Sequence, residues 1–241
     1  MKHPIEVCFS PAVFQEFYKP NLSVVVVDVL RATSSICTAF MHGAEKLIPI
    51  GSVDELRGFV NMGHVLAGER NGNTLDFVDF GNSPYNFTRE RVENKTVIYS
   101  TTNGTKAIQL ASQCKEVLVG SFLNISSVCK YLDGNQESVL ILCAGWKNRF
   151  SLEDTLLAGA ICEKLMETGN FSIVCDSAVS SLDLWQLAKQ NLMQYVEKCA
   201  QRHRLKAKGL DDVLEYCFTS DMTDIIPVYR EGVLRPMDRS D

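Results

Sequence analysis

The chain has 241 residues, 46% of them hydrophobic, with 24 basic against 29 acidic side chains and a net charge of −5; that allows a sizeable core, excludes general disorder, and leaves no basic block of the kind that marks a nucleic-acid surface. The apolar runs are strand-sized, short of the ~20 residues a membrane span needs, and the opening MKHPIEVCFSP meets Pro and Glu early, unlike a signal peptide. Nine cysteines occur singly with no CxxC, which favours reduced, buried thiols in a cytoplasmic protein over disulfides or zinc.

In chain order, residues 5–9 alternate as a short strand, and residues 11–18 read as a short helix or turn closed by Lys19-Pro20-Asn21. Residues 24–27 are four valines, and an unbroken β-branched run suits a strand buried on both faces. The run ends on Asp28. Arg31 follows, then Thr33, Ser34 and Ser35, the opening turn of a helix that stops near Gly43. A carboxylate, a guanidinium and hydroxyls therefore fall at the carboxyl end of a central strand, where open α/β sheets bind ligands. A helix amino terminus there adds free N–H groups and a positive dipole end, both suited to an anion. The plain alternative is an Asp that ends the strand and an Arg that pairs with it.

Residues 45–50 form a second strand, and Ser52 with Glu55 makes a capping box for a helix over 53–61. A brief strand at 64–67 runs into GERNGNTLDFVDFGNSPYN, residues 68–86, which has little periodicity. Long loops inside compact chains are usually functional or mobile. This one carries Glu69, Arg70, Asp76, Asp79, Asn82 and Ser83, and a solvated surface loop is the competing expectation. Residues 95–99, the elbow STTNGT at 100–105 and a helix over 106–112 repeat the strand, polar elbow, helix design. Residues 116–119 are a strand, Asn124 or Ser126 caps a helix over 125–131, and Asp133-Gly134-Asn135 is a turn. The apolar strand 138–143 ends in Ala144-Gly145, and the loop WKNRF leads to a helix over 152–168, with Ser151 as N-cap and Asp154 at its third position. A short strand at 171–175, a helix over 176–198, a basic stretch at 200–208 and a helix over 209–217 follow. Two extended segments, 225–229 and 232–234, flank a turn at 230–232. No repeat or Pro/Ser-rich linker divides the chain. The expectation is one α/β domain over 1–241, or two lobes without a flexible joint, with a mixed or largely parallel sheet flanked by helices.

Three elbows carry the chemistry: Asp28 with Arg31 and Thr33, the run from Thr101 to Thr105, and Cys143 to Asp154. If the sheet brings them together, carboxylates (Asp28, Glu69, Glu153, Asp154) supply hard oxygen donors suited to Mg²⁺, which binds through one or two protein carboxylates and substrate phosphate. Arginine, hydroxyls and amides suit phosphate, carboxylate or sulfonate. A metal beside an anion pocket points to phosphoryl chemistry. The elbows lack the Walker and GxGxxG spacings, so neither ATP nor NAD is indicated. Asp28 has no second Asp at position 30, so the DxD of aspartyl-phosphate phosphatases is missing. Cys143 to Arg149 matches the Cys-x5-Arg spacing of thiolate phosphatases, but with one glycine and a bulky Trp146 in place of an amide cradle. The basic stretch 200–208 reads as a solvated helix face, with contact to an anionic substrate as the alternative.

DVLRATSS at 28–35, GERNG at 68–72, DFGNSP at 79–84, STTNGT at 100–105, GSFLN at 120–124, and CAG with SLEDTLLAGA within 143–160 resemble, in order, the motifs of the 2-phosphosulfolactate phosphatase family. The endings RHRLKAKGLDDVLEYCF and IIPVYREGVL are similar to that family's carboxyl-terminal region. The resemblance covers nearly the whole chain. It implies a Mg²⁺-dependent hydrolase that converts (R)-2-phospho-3-sulfolactate to sulfolactate and phosphate, a step towards coenzyme M. The implied fold is peculiar to the family and not a standard Rossmann sheet. By matching positions, the implied site is Asp28, Arg31, Thr33, Glu69, Arg70, Asn82, Ser83, Thr101, Thr102, Asn103, Gly104, Thr105, Glu153 and Asp154. Within it, Asp28, Glu69, Glu153 and Asp154 are assigned to Mg²⁺, Arg31 to the phosphate, and the elbow from Thr101 to Thr105 to an anionic oxygen. The partners expected are a small phosphorylated and sulfonated acid and a second copy in a homodimer, with no nucleic acid and no membrane. Trp146-Lys147-Asn148 departs from the family pattern and bears on the substrate end of the pocket. The competing hypotheses are the same scaffold acting on another small phosphorylated acid, and a non-catalytic binder of an anionic metabolite.

Overall fold

The computed structural model describes residues 2–237. Eleven strands make one sheet among these residues: β1 (His3–Cys8), β2 (Ser23–Val27), β3 (Lys46–Pro49), β4 (Val65–Arg70), β5 (Asn73–Thr74), β6 (Thr96–Ser100), β7 (Glu116–Gly120), β8 (Val139–Cys143), β9 (Phe171–Ile173), β10 (Pro227–Arg230) and β11 (Val233–Pro236). Their order is β5-β4-β6-β3-β11-β10-β7-β2-β8-β1-β9. The four valines of β2 sit between parallel neighbours, Val25 opposite Leu118 of β7 and Ile141 of β8. Side chains alternate across a strand. Val24 and Val26 accordingly join one core and Val25 and Val27 the other, which explains why the run is apolar at every position.

The sheet is two parallel halves stitched by the carboxyl-terminal hairpin. In β4-β6-β3 all pairs are parallel, as they are in β7-β2-β8-β1-β9. Between the halves, β11 lies antiparallel to β3, β10 antiparallel to β11, and β10 antiparallel to β7. The two halves therefore run in opposite senses along the ladder. On one face of the sheet lie the helices Ala32–Met41 and Gly104–Leu110, whose Ile36, Phe40 and Ile108 share a core with Val24, Val26, Val97, Tyr99 and Leu142 from both halves. The outer face of the larger half is covered by the helices Ile125–Asn135, Leu152–Glu167 and Asp176–Ala188. The outer face of the smaller half has its own core around Leu56, Leu66 and Ile98.

Several element boundaries differ from the sequence expectations for local reasons. The helix expected over 53–61 spans Val53–Arg57, capped as expected by Ser52, whose hydroxyl accepts from Glu55 N at 3.1 Å. The helix expected over 176–198 breaks into Asp176–Ala188, a 3₁₀ turn Lys189–Asn191 and Leu192–Val196, restarted by the Asn191 side chain accepting from Gln194 N. The turn expected at 133–135 continues the helix Ile125–Asn135, which stops at Gln136 in a left-handed conformation. Within 68–86, β5, the end of β4 and the 3₁₀ turn Pro84–Asn86 give the loop more structure than its composition suggests. The segment expected as a helix over 209–217 is helical only at Leu214–Cys217. Among the described residues, no helix is long and apolar enough to cross a membrane.

Candidate functional site

Four strands deliver the site. β2 ends at Val27, and the next residue, Asp28, turns the chain into the helix Ala32–Met41. Asp28 Oδ1 accepts from Ala32 N at 3.3 Å, so the carboxylate caps the helix that follows it. Thr33 holds the same turn closed: its hydroxyl accepts from Asp28 N and its N–H donates to Asp28 O, both at 3.0 Å. At the end of β8, Gly145 N donates to Asp154 Oδ2 at 3.0 Å, while Asp154 Oδ1 accepts from Val29 N at 2.9 Å. Asp154 thus bolts the β2 and β8 elbows together from the first turn of the helix Leu152–Glu167. At the end of β4, Glu69 receives Thr102 N and Gly72 N, each at 2.6 Å, and the Thr102 hydroxyl at 3.0 Å. Glu69 ties the β4 turn to the β6 elbow. Lys147 N then donates to Asn103 Oδ1 at 3.1 Å, joining the β8 elbow to the β6 elbow.

These ties place Asp28, Arg31, Glu69, Asn82, Asn103, Glu153 and Asp154 around one cavity. Close packing at Gly104 makes the approach feasible. A Cβ there would meet Asp28 Oδ2 at 2.7 Å and collide with the Ala32 methyl, so only glycine lets the two helix starts lie together. Asp28 is 9% exposed, Glu153 4% and Asp154 2%. Burial, chiefly, pushes the Asp28 carboxyl up to about 7 from an ordinary 3.8; the Ala32 N–H opposes this, and the charges of Glu69 and Glu153 add to it. Burial also raises Glu153, against the pull of its own backbone N–H. Burial raises Asp154 well above the usual carboxylate range despite its two backbone donors, and the charge of Asp28 contributes. Arg31, 4% exposed, lines the same cavity, and its Nη1 has no hydrogen-bond partner among the described residues. An unpartnered buried donor costs on the order of 1–3 kcal/mol or more for a charged group. The arrangement therefore has one donor directed at nothing and four carboxylates around it. The Ser151 hydroxyl, expected to cap its helix, is likewise buried without a partner.

Other expected site residues shape the cavity, and of those that follow only Asn82 lines it. Arg70 turns away, donating to Glu69 O at 2.7 Å and Ser100 Oγ at 2.8 Å. Thr101 and Thr105 lock the β6 elbow by reciprocal N–H to hydroxyl bonds of 3.1 Å. Asn82 is placed by the Tyr99 hydroxyl and by Ser35, which donates to Asn82 O at 3.2 Å. Ser83 starts the Pro84–Asn86 turn without capping it. Cys143 is fully buried, its thiol pushed far above the ordinary range by burial, and Arg149 is exposed, so the Cys-x5-Arg spacing does not form a thiolate cradle. Gln201, which no motif announced, enters from the basic helix Ala200–Lys206 and donates to Leu30 O at 3.1 Å. That helix packs on the pocket where a solvated face was expected, with Gln201, Leu205 and Trp146 at the cavity wall.

Among the described residues, no three His, Cys, Asp or Glu side chains converge as a closed metal cage. The donor set does fit a hard cation held by one or two carboxylates and completed by water and a ligand's oxygens, the usual manner of Mg²⁺. Buried carboxylates that repel one another, with no hydrogen-bond partner for Asp28 Oδ2 among the described residues, leave negative charge for such an ion to neutralise.

The model of the family described as 2-phosphosulpholactate phosphatase matches residues 8–232. A protein named probable 2-phosphosulfolactate phosphatase from Caldanaerobacter subterraneus is 37% identical over 217 residues, covering 88% of this chain and 90% of its own. One of the same name from Synechocystis is 37% identical over 210 residues, covering 84% and 87%. A third, from Thermotoga maritima, is 35% identical over 211 residues, covering 88% and 90%.

Proposed function

The chain belongs to the 2-phosphosulpholactate phosphatase family, and from that premise we propose that it is a Mg²⁺-dependent phosphatase converting (R)-2-phospho-3-sulfolactate to (R)-3-sulfolactate and phosphate. The observation that carries the proposal is Arg31 Nη1, a buried cationic donor without a partner among the described residues, in a cavity walled by Asp28, Glu69, Glu153 and Asp154. A phosphoryl oxygen satisfies that donor, and arginine is the cation best matched to it.

Hydrolysis forms a bond from a water oxygen to phosphorus and breaks the bond from phosphorus to the ester oxygen; a proton leaves the water, and the departing oxygen takes one up. With no ion bound, burial holds the Asp28 carboxyl up at about 7; a bound cation would displace that proton and leave the carboxylate free to ligate. Arg31 stabilises charge on the equatorial oxygens. Asn82 and Asn103 provide neutral polar wall, and Asp154 and Glu69 keep the elbows in register through the backbone N–H groups they hold. Asp28 and Glu153 would hold the Mg²⁺, with Glu69 and Asp154 behind them. When bound, the ion would neutralise phosphate oxygens and so make attack on phosphorus easier.

The nine cysteines are all free thiols, which supports a reducing, cytoplasmic setting, and the product would feed a route towards coenzyme M. Phosphate release from 2-phosphosulfolactate tests the function. We expect turnover with Mg²⁺, loss with EDTA, and a fall of about 10²-fold or more in kcat for Arg31→Met. No release by folded wild-type protein with Mg²⁺ would sink the substrate assignment. Undiminished turnover in EDTA would sink the metal.

A further inference from the structure

We infer that Arg204 and Lys147, both held over the ring of Trp146, form a second anion subsite at the mouth of the cavity that takes the sulfonate of the substrate; the identity of that substrate rests on the phosphatase assignment above.

The cavity behind Trp146 has a volume of about 20 Å³, room for little more than one water. A three-carbon acid bearing phosphate, carboxylate and sulfonate does not fit wholly inside it. With its phosphoryl group at Arg31, the far end of such a molecule emerges at the mouth, where the partly exposed members of the lining, Trp146, Asn103 and Gly72, stand. Arg31 is the one cationic side chain in the lining, so beyond an ion held at the carboxylates, a ligand with several anionic groups gains from positive charge outside that wall.

The mouth provides it in ordered form. Arg204 Cζ lies 4.6 Å from the Trp146 ring centroid and Lys147 Nζ lies 5.6 Å from it, both within cation–π range. Arg204 is also anchored at its inner edge: Nε donates to Gln201 Oε1 at 2.6 Å, and Gln201 Nε2 donates to Leu30 O at 3.1 Å, one residue before Arg31. The second cation is therefore tied by a short chain of contacts to the residue that receives the phosphate. No salt bridge closes on Arg204 or Lys147 among the described residues, which leaves the outer Nη groups and the ammonium to an incoming ligand. A planar guanidinium presents two parallel N–H donors to an oxyanion, and a stacked one has already lost most of its rotamer freedom. Lys147 reaches the ring because the WKNRF loop turns back through left-handed residues, Lys147 at φ 51° and Asn148 at φ 61°.

The test pairs kinetics with binding. Arg204→Met keeps a stem over Trp146 and removes the charge. The expected result is a KM for 2-phosphosulfolactate raised about 10- to 100-fold, the range of one charge-assisted hydrogen bond, with kcat lowered by less than about threefold. Inhibition by orthophosphate, which occupies only the Arg31 end, should be unaltered, and Arg204→Lys should recover part of the lost affinity. An unchanged KM, or KM and orthophosphate inhibition weakening together, overturns the subsite. The protein has two tryptophans, so Trp185→Phe leaves Trp146 as the sole fluorophore, and titration with 3-sulfolactate should change its emission unless Arg204→Met is also present. If wild-type protein releases no phosphate but sulfolactate still perturbs Trp146 through Arg204, the phosphatase assignment falls and the subsite stands. If phosphate is released and sulfolactate leaves Trp146 unperturbed, the subsite falls and the phosphatase assignment stands.

Discussion

Asp28 shows how one side chain can serve the fold and the chemistry together. One oxygen caps the helix it starts, and the other faces the bare Cα of Gly104. Burial makes the ionised form costly, so the folded protein binds the Asp28 proton up to about pH 7, where the unfolded chain has released it near the ordinary 3.8. Deprotonation therefore favours unfolding between those limits. In EDTA, stability should fall as pH rises from about 4 to about 7, at up to ~1.4 kcal/mol per pH unit for this one group, and level off above. Asp28→Asn should flatten that slope in urea titrations; an unchanged slope would show that Asp28 is not the group concerned. The residue itself was legible in the sequence, because a charge following four valines has no place in a buried strand. Its altered acidity was not, since it depends first on burial by the assembled fold and then on Glu69 and Glu153, which are 41 and 125 positions away.

At the level of elements, the strand, polar elbow, helix unit was readable three times over, and the hydroxyls mostly proved to be fasteners. Thr33, Thr101, Thr102 and Thr105 close turns or join one elbow to another. Asp154 reads in sequence as a helix-capping acid or a metal ligand, and in the fold it gives both oxygens to backbone N–H groups of two other elbows. Such roles depend on which strand ends are adjacent, which no local pattern encodes. Gly104 is the clearest case: glycine at a helix start reads as an ordinary turn residue, yet here it permits contact between the two central helices. Gly104→Ala should destabilise the protein by about 1–3 kcal/mol through overpacking and lower kcat, because Ala32 and Asp28 must move. Chemical denaturation and steady-state rates would check this; a variant of wild-type stability and rate would show that the helices can separate freely.

For the whole molecule, the carboxyl-terminal hairpin is the seam. β10 and β11 insert between the two parallel halves, and Leu234, fully buried, pairs with Leu47 of the smaller half while sharing a core with Val24 and Val26 of the larger. Because both halves contribute carboxylates to the cavity, the seam also sets the distance between Glu69 and Asp28. Leu234→Ala should cost about 2–5 kcal/mol and loosen the site along with the fold, so its phosphatase activity should decline at lower urea concentration than wild type. Activity persisting to the wild-type urea midpoint would show that the seam does not support the site.

The sequence by itself determined the local elements and the chemical character of the site. Valine runs, caps, glycine elbows and acidic or basic residues at strand ends follow from periodicity and side-chain chemistry within a few residues. The tertiary structure alone decided which of those ends meet. The carboxyl-terminal hairpin joins two opposite-running parallel halves into one sheet, and only that long-range pairing brings Asp28, Arg31, Glu69 and Glu153 to one cavity and sets Arg204 and Lys147 on Trp146 at its mouth.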